Sequence, residues 1–410
     1  MTFRVLFVSI PVAMISLGCS GGDPGNPISQ VKQEAKPSGG KPSEGGITVD
    51  TTVAHQQIRG FGGATVWNGA LTDADADKLF TTLGLSICRI RIDPTGDWAD
   101  DIANAQKAHA RGAKVISSTW SPPAWMKSNN STVGGSLLPE NYGAYVDWMN
   151  AFVSALADAG VPLYAASVQN EPNIDVAYES TVWTAEEMRV FMADYAGSVN
   201  TKVMMPETFN YLPSFGDVIL DDPAASANTD IAAFHWYGAN RFQLWNKAFD
   251  QGKDIWMTEV YDDDQSIGAA VSTATDIVSF LTVSQCNAFV WWYVKQPSCN
   301  LITDVGINPR GYVMGQFARF VPPGSVRVGL EGSSTAAAFK DGATVVIVDV
   351  NAKRGGIGRT YRIVGDAVTS VTPYVTDADH DMEEQAPIAV IDGSFTAALP
   401  GTSVTTFVSN

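Results

Sequence analysis

Between residues 58 and 320, eight short apolar runs alternate with stretches of helical periodicity, which is the pattern of parallel βα units. The runs cover 58–64, 86–92, 113–119, 163–169, 201–205, 230–236, 254–260 and 288–293. Each is nearly continuous in apolar residues, as a strand buried on both faces must be. Helical patterns cover 73–83, 98–111, 142–159, 185–199 and 267–283. Eight strands with helices between them predict a closed (β/α)8 TIM barrel, in which reactive groups stand at the carboxyl ends of the strands.

Two of those ends carry a glutamate. Glu171 follows the run 163–169, with Asn170 before it and Pro172 after it, where proline forbids further ladder pairing. Glu259 closes the run Asp254-Ile255-Trp256-Met257-Thr258. These are strands four and seven, on opposite sides of the lumen, so their side chains can meet over the mouth. A lone glutamate at a strand end is usually a solvated loop residue. A pair so arranged is what retaining glycoside hydrolysis needs: one carboxyl protonates the leaving oxygen, and the other attacks the anomeric carbon from about 5–5.5 Å away.

The neighbouring residues fit that chemistry. Asn170 can bond a sugar hydroxyl. His235 and Tyr237, at the end of strand six, are expected to donate to Glu259 and hold its pKa down. Aromatic residues gather after the strands: Trp67 after the first, Trp120 after the third, Trp292 and Tyr293 at the end of the eighth. Flat rings stack on the C–H faces of sugars while polar neighbours read the hydroxyls. Trp120, followed by Ser121-Pro122-Pro123, is the best candidate for a stacking platform. Trp256 and one of Trp291 or Trp292 are expected in the core, because alternate strand positions face opposite ways.

Other chemistries fail on inventory. Four histidines show no metal-ligand spacing, and there is no P-loop or dinucleotide fingerprint, so neither metal nor cofactor is expected. Gly60-Phe61-Gly62-Gly63-Ala64 is expected to let a strand end turn tightly. Asp262-Asp263-Asp264 reads as a solvated acidic loop rather than a cation site. A net charge of −17 leaves nothing to neutralise phosphates, which argues against nucleic acid and suits a neutral polymer. The four cysteines make no disulfide framework. Cys88 reads as a small buried apolar residue. Cys286 and Cys299 flank a six-residue strand, about 20 Å long, whereas a disulfide needs Cα atoms within about 7 Å.

The flanks differ from the barrel. Residues 321–410 open on Pro322-Pro323-Gly324 and continue as short strands between turn signals, an antiparallel β-sandwich beside the barrel. The β-branched start of segment 47–57 reads as a strand able to pair into it. Residues 1–18 have a positive start and an apolar stretch too short to span a bilayer, as in a signal peptide. Leu17-Gly18-Cys19 resembles a bacterial lipobox, with Ser16 where leucine is preferred; ordinary signal cleavage is the alternative. Segment 19–46, rich in Gly, Pro and Ser, reads as a tether. An exported lipoprotein held to the cell envelope or surface through Cys19 is the expectation, otherwise a secreted protein, and a monomer in either case.

Taken together, Gly60-Phe61-Gly62-Gly63-Ala64, Arg89-Ile90-Arg91, the segment from Trp120 to Lys127, Gln169-Asn170-Glu171-Pro172, His235-Trp236-Tyr237-Gly238 and Trp256-Met257-Thr258-Glu259 resemble glycoside hydrolase family 30. The resemblance implies retention, with Glu171 as acid/base and Glu259 as nucleophile. Within the family, Trp291-Trp292-Tyr293 and Arg310-Gly311-Tyr312 resemble the bacterial xylanase branch, implying an endo-β-1,4-xylanase acting on xylan. Members needing glucuronic acid side groups carry an Arg-Arg-Ser-Tyr-type element after strand eight. Here Gln296 and Ser298 replace the clamping arginine and the tyrosine, with Lys295 as a point charge beside them, so strict dependence on that side group is not expected. The alternatives are a glucuronoxylan-specific enzyme, another family activity such as a β-1,6-glucanase, and a non-catalytic glycan-binding lipoprotein.

Overall fold

The computed structural model describes residues 46–238 and 241–410. The expected signal peptide, Cys19 and nearly all of the tether lie outside the described residues. No described helix is long and apolar enough to cross a membrane.

The chain enters through β1 (Gly46–Gln57) and then builds the barrel from β2 (Gly60–Ala64), β3 (Ile87–Arg91), β4 (Lys114–Ser118), β5 (Leu163–Ser167), β6 (Lys202–Thr208), β7 (Ile231–His235), β8 (Asp254–Glu259) and β9 (Ala288–Tyr293). All eight pair in parallel, each with the next, and β9 closes on β2. The eight apolar runs are these strands. Their side chains alternate between a lumen packed with Ile87, Ile116, Met204, Ile231 and Trp256 and an outer face buried under the helices.

The five expected helices form, with two adjustments. The first is α-helical over Asp73–Ala76 and continues with wider π-type bonding over Asp77–Thr82. The fourth stops at Asp194. Helices over Pro213–Leu220, Pro223–Ala227, Asn246–Asp250 and Pro309–Ala318 were not expected. Three of them start on a proline in the first turn, where its missing N–H costs nothing, and that was the signal to use.

The glycines of β2 serve a different purpose from the expected turn. A Cβ on Gly62 would lie 2.3 Å from the backbone oxygen of Ile87, and one on Gly63 2.6 Å from Val294. They let neighbouring strands and the loop after β9 approach closely, within a strand rather than at its end.

Beyond the barrel follow β10 (Val326–Glu331), β11 (Ala336–Asp341), β12 (Thr344–Asn351), β13 (Ile357–Val364), β14 (Ser370–Thr376), β15 (Asp381–Glu384), β16 (Ile388–Ala389), β17 (Ser394–Leu399) and β18 (Ser403–Ser409). With β1 they make one ten-stranded sheet, ordered β15-β14-β18-β12-β11-β10-β1-β13-β17 with β16 beside β14. The sheet curls until its inner faces share a core in which Tyr361, Phe395 and Phe407 touch, with ring centroids 4.7–5.2 Å apart. β1 joins this side domain as the sequence suggested, antiparallel to β10 and parallel to β13. The outer face of the sheet, with Phe339, Val346 and Val348, packs into the main barrel core.

Candidate active site

The carboxyl ends of the barrel strands bring Glu171, Glu259 and His235 together. One carboxylate oxygen from each glutamate and a ring nitrogen of His235 all lie within 4.8 Å of one another. Strict alternation from Trp256 would aim Thr258, not Glu259, into the lumen. The pairing of β8 with β7 shifts register between Phe234 and His235, and the extra residue turns Glu259 inward. Glu171 is held with φ 51°, a left-handed conformation that a glutamate adopts only where its surroundings impose it. Its backbone N–H donates to the Glu207 carbonyl at 2.9 Å, and the Asn170 N–H to that of Thr119 at 2.7 Å.

Arg89 binds the site from below. It shares the inward parity of Ile87 on β3 and is fully buried. Its guanidinium donates to Glu259 at 2.5 Å, Asn170 Oδ1 at 2.8 Å and Ser118 at 3.1 Å, and pairs with Glu207 at 3.4 Å. Tyr237 donates to Glu259 Oε1 at 2.9 Å, as expected. His235 does not: its Nδ1 lies 3.0 Å from Glu171 Oε1 and 3.8 Å from Glu259, although the register shift makes His235 and Glu259 direct neighbours across β7 and β8. Tyr178 donates to the other oxygen of Glu171 at 3.0 Å.

Sequence reasoning missed Glu207. It is the penultimate residue of β6, a third glutamate near a strand end after an apolar run, at positive φ (53°) like Glu171 and wholly buried. Ser118 donates to it at 2.8 Å, and the second ring nitrogen of His235 lies 3.7 Å away. The ionisation of the cluster follows. Burial alone would raise Glu207, but Arg89 and His235 outweigh it and hold the carboxyl well below its ordinary range. Burial would likewise discharge His235, yet Glu259, Glu171 and Glu207 raise it to about 9, so it is an imidazolium at neutral pH. Glu259 is not held down as the sequence suggested. Burial raises it, assisted by the charge of Glu171 and opposed by His235 and Arg89.

The aromatic residues line one side. Trp67, Trp120 and Trp292 meet with ring centroids 5.5–6.2 Å apart, and Tyr293 packs on Trp292 at 4.4 Å. Trp120 is only 2 % exposed, so it is not the open platform expected; Arg89 sits over its ring at 4.8 Å and the other two indoles cover it. Trp67, at 41 %, is the exposed ring of the three. Trp256 fills the lumen, and Trp291, buried on the outer face, lies under Arg310.

Around the mouth, the cations of interest are already engaged. Lys295 pairs with Asp75 at 2.6 Å and Asp304 at 2.8 Å. Gln296 donates to the Trp67 carbonyl at 2.5 Å. Arg310 is buried and donates to the carbonyls of Asp262 and Asp264. Its guanidinium also pairs with the Asp262 carboxylate at 3.4 Å, so the acidic loop is partly the counter-charge of Arg310 rather than simply solvated. Cys88, Cys286 and Cys299 are free and buried.

Comparison with known proteins agrees with the geometry. The glycosyl hydrolase family 30 TIM-barrel domain matches residues 98–267. The glucuronoxylanase XynC of Bacillus subtilis is 36 % identical over 388 residues, spanning 89 % of this chain and 92 % of that protein. Among solved structures, a family 30 subfamily 8 xylanase of Clostridium acetobutylicum superposes with a TM-score of 0.86 at 35 % identity, covering 89 % of this chain and 99 % of the other. A family 30 endoxylanase of Clostridium papyrosolvens gives 0.83 at 37 % identity, covering 89 % and 100 %. With a closed barrel, paired carboxylates at its mouth and relatives this similar over nearly their whole length, the chain belongs to glycoside hydrolase family 30.

Proposed function

We propose that the protein is a retaining endo-β-1,4-xylanase in which Glu171 is the acid/base and Glu259 the nucleophile. The observation that carries this reading is the approach of the two carboxylates to within 4.8 Å, too close for the water that an inverting enzyme needs between carboxyls about 6.5–9.5 Å apart. Arg89 and Tyr237 donate to Glu259 and favour its charged form as it attacks the anomeric carbon. Glu171 protonates the leaving oxygen. The carboxylate this leaves is received by the imidazolium of His235 and the hydroxyl of Tyr178, and it then takes the proton of the water that releases the sugar. Asn170 is fixed through its oxygen by Arg89, which leaves its amide N–H groups for a sugar hydroxyl. Trp67 and half-buried Tyr293 supply stacking surface over buried Trp120 and Trp292.

Xylan as substrate rests on the relatives named as xylanases and glucuronoxylanase. Independence of glucuronic acid rests on the engagement of Lys295 and Arg310 described above. The second reading, a glucuronoxylan-specific enzyme, is favoured by the name of the Bacillus subtilis relative. Incubation with arabinoxylan, glucuronoxylan and pustulan, followed by sizing of the products, tests the proposal. Mixed oligomers from both xylans are expected. Products from pustulan alone, or monomers alone, would refute it.

A further inference from the structure

A second aromatic groove, of about 560 Å3, opens between the loop after β3 and the loop after β4. It shares no lining residue with the carboxylate cluster. Its walls carry Trp98, Trp125 and Trp148, with Thr95, Asn130 and Thr132 among them, and none of its lining residues is charged. That is unusual placement in a chain of net charge −17. The volume falls in the range of ligand sites, about 300–1,000 Å3.

Trp125 is 61 % exposed and its indole N–H has no partner among the described residues. Yet it stands on a rigid support. Pro122 and Pro123 precede it, the turn Ala124–Met126 carries it, Met126 is buried, and Lys127 is buried with its ammonium donating to Ser121 at 3.1 Å and the Ser180 carbonyl at 2.5 Å. The other two rings are fixed from behind. Trp98 donates to the Asp93 carbonyl at 3.0 Å and packs edge-on against Phe152, and Trp148 stacks on Tyr145. The groove is linked to the aromatic residues of the site through its supports: Trp125 lies five residues beyond Trp120, and Asp93 holds Arg91, which sits 5.6 Å over Trp67.

We infer that this groove is a second binding site for a neutral polysaccharide chain, with Trp125 as its stacking platform. Pre-positioned indoles match the apolar faces of sugar rings, the hydroxyl and amide groups match their hydroxyls, and an uncharged lining matches an uncharged polymer. The inference rests on the polysaccharide-hydrolase reading above and adds a site that holds polymer without cleaving it.

The test uses the full chain. Retardation in native gels containing arabinoxylan, glucuronoxylan or pustulan is measured for Glu259→Gln with and without Trp125→Ala. Loss of the ring should weaken retention roughly tenfold in at least one glycan, as for one buried aromatic contact. In the active enzyme, Trp125→Ala should hydrolyse xylohexaose within about twofold of wild type and insoluble xylan several-fold more slowly, with Trp125→Phe recovering part of the loss. Unchanged retention in all three glycans overturns the inference, whatever the active enzyme cleaves. So does an equal loss on xylohexaose and polymer, which would make the groove part of the catalytic cleft. A change in sedimentation with retention intact would instead assign the surface to a second copy. Cleavage specificity, read separately on the active enzyme, decides the function reading, so the two can fail independently.

Discussion

Replacing Glu207 by Gln removes one negative charge from beneath the site and leaves the shape almost unchanged. Arg89, 3.4 Å away, and His235, 3.7 Å away, both lose one counter-ion in a wholly buried place. Breaking a buried ion pair from one side costs about 3–5 kcal/mol, and that is the expected loss of stability in urea. At 3.7 Å the contact to His235 is too long for a hydrogen bond, so what the imidazolium loses is the charge attraction of a buried carboxylate. His235 should therefore titrate below about 9 in the variant. The linkage has a definite sign. Folding raises His235 above its ordinary 6.5, so its protonation contributes on the order of 3 kcal/mol that is fully present below about pH 6.5 and lost as pH rises through about 9. In the variant that contribution should be smaller and lost at lower pH. The chain has only four histidines, so an imidazole NMR titration resolves His235 directly. A variant whose His235 still titrates near 9, or whose stability changes by less than about 1 kcal/mol, would show that Glu207 is not the counter-ion described here.

Three further predictions concern function and location. Glu171→Gln should slow xylan hydrolysis about 10²–10⁴-fold while sparing substrates with leaving groups that need no proton; an equal loss on dinitrophenyl glycosides would deny it the acid role. Removing glucuronic acid side groups from glucuronoxylan should change kcat/KM by less than tenfold. A loss beyond about a hundredfold, equivalent to about 2.7 kcal/mol, would mean that some other residue supplies the clamp that Lys295, tied to Asp75 and Asp304, does not. Cys19→Ser should release the protein from the membrane fraction and abolish incorporation of labelled palmitate, and a wild type that takes up no label would refute lipidation.

The sequence by itself determined the barrel, because eight buried strands and the helices between them leave local signatures: short apolar runs, period-3.6 stretches and prolines at their ends. It also singled out Glu171 and Glu259, since each follows an apolar run directly. It could not determine which side chain bonds which. A one-residue bulge between β7 and β8 turns Glu259 inward beside His235, yet His235 bonds Glu171 across 64 residues of chain, and no periodicity announces either. Arg89 meets Glu259 across 170 residues of chain and Glu207 across 118, so both contacts exist only once the barrel closes. Burial decided the rest. Trp120 lies at the bottom of the aromatic cluster because Trp67 and Trp292 come to it from other strands, and Glu259 is raised because the closed lumen excludes the water that would have kept it low. Local pattern fixes elements, but the charge of a group depends on everything packed around it, and only the tertiary structure supplies that.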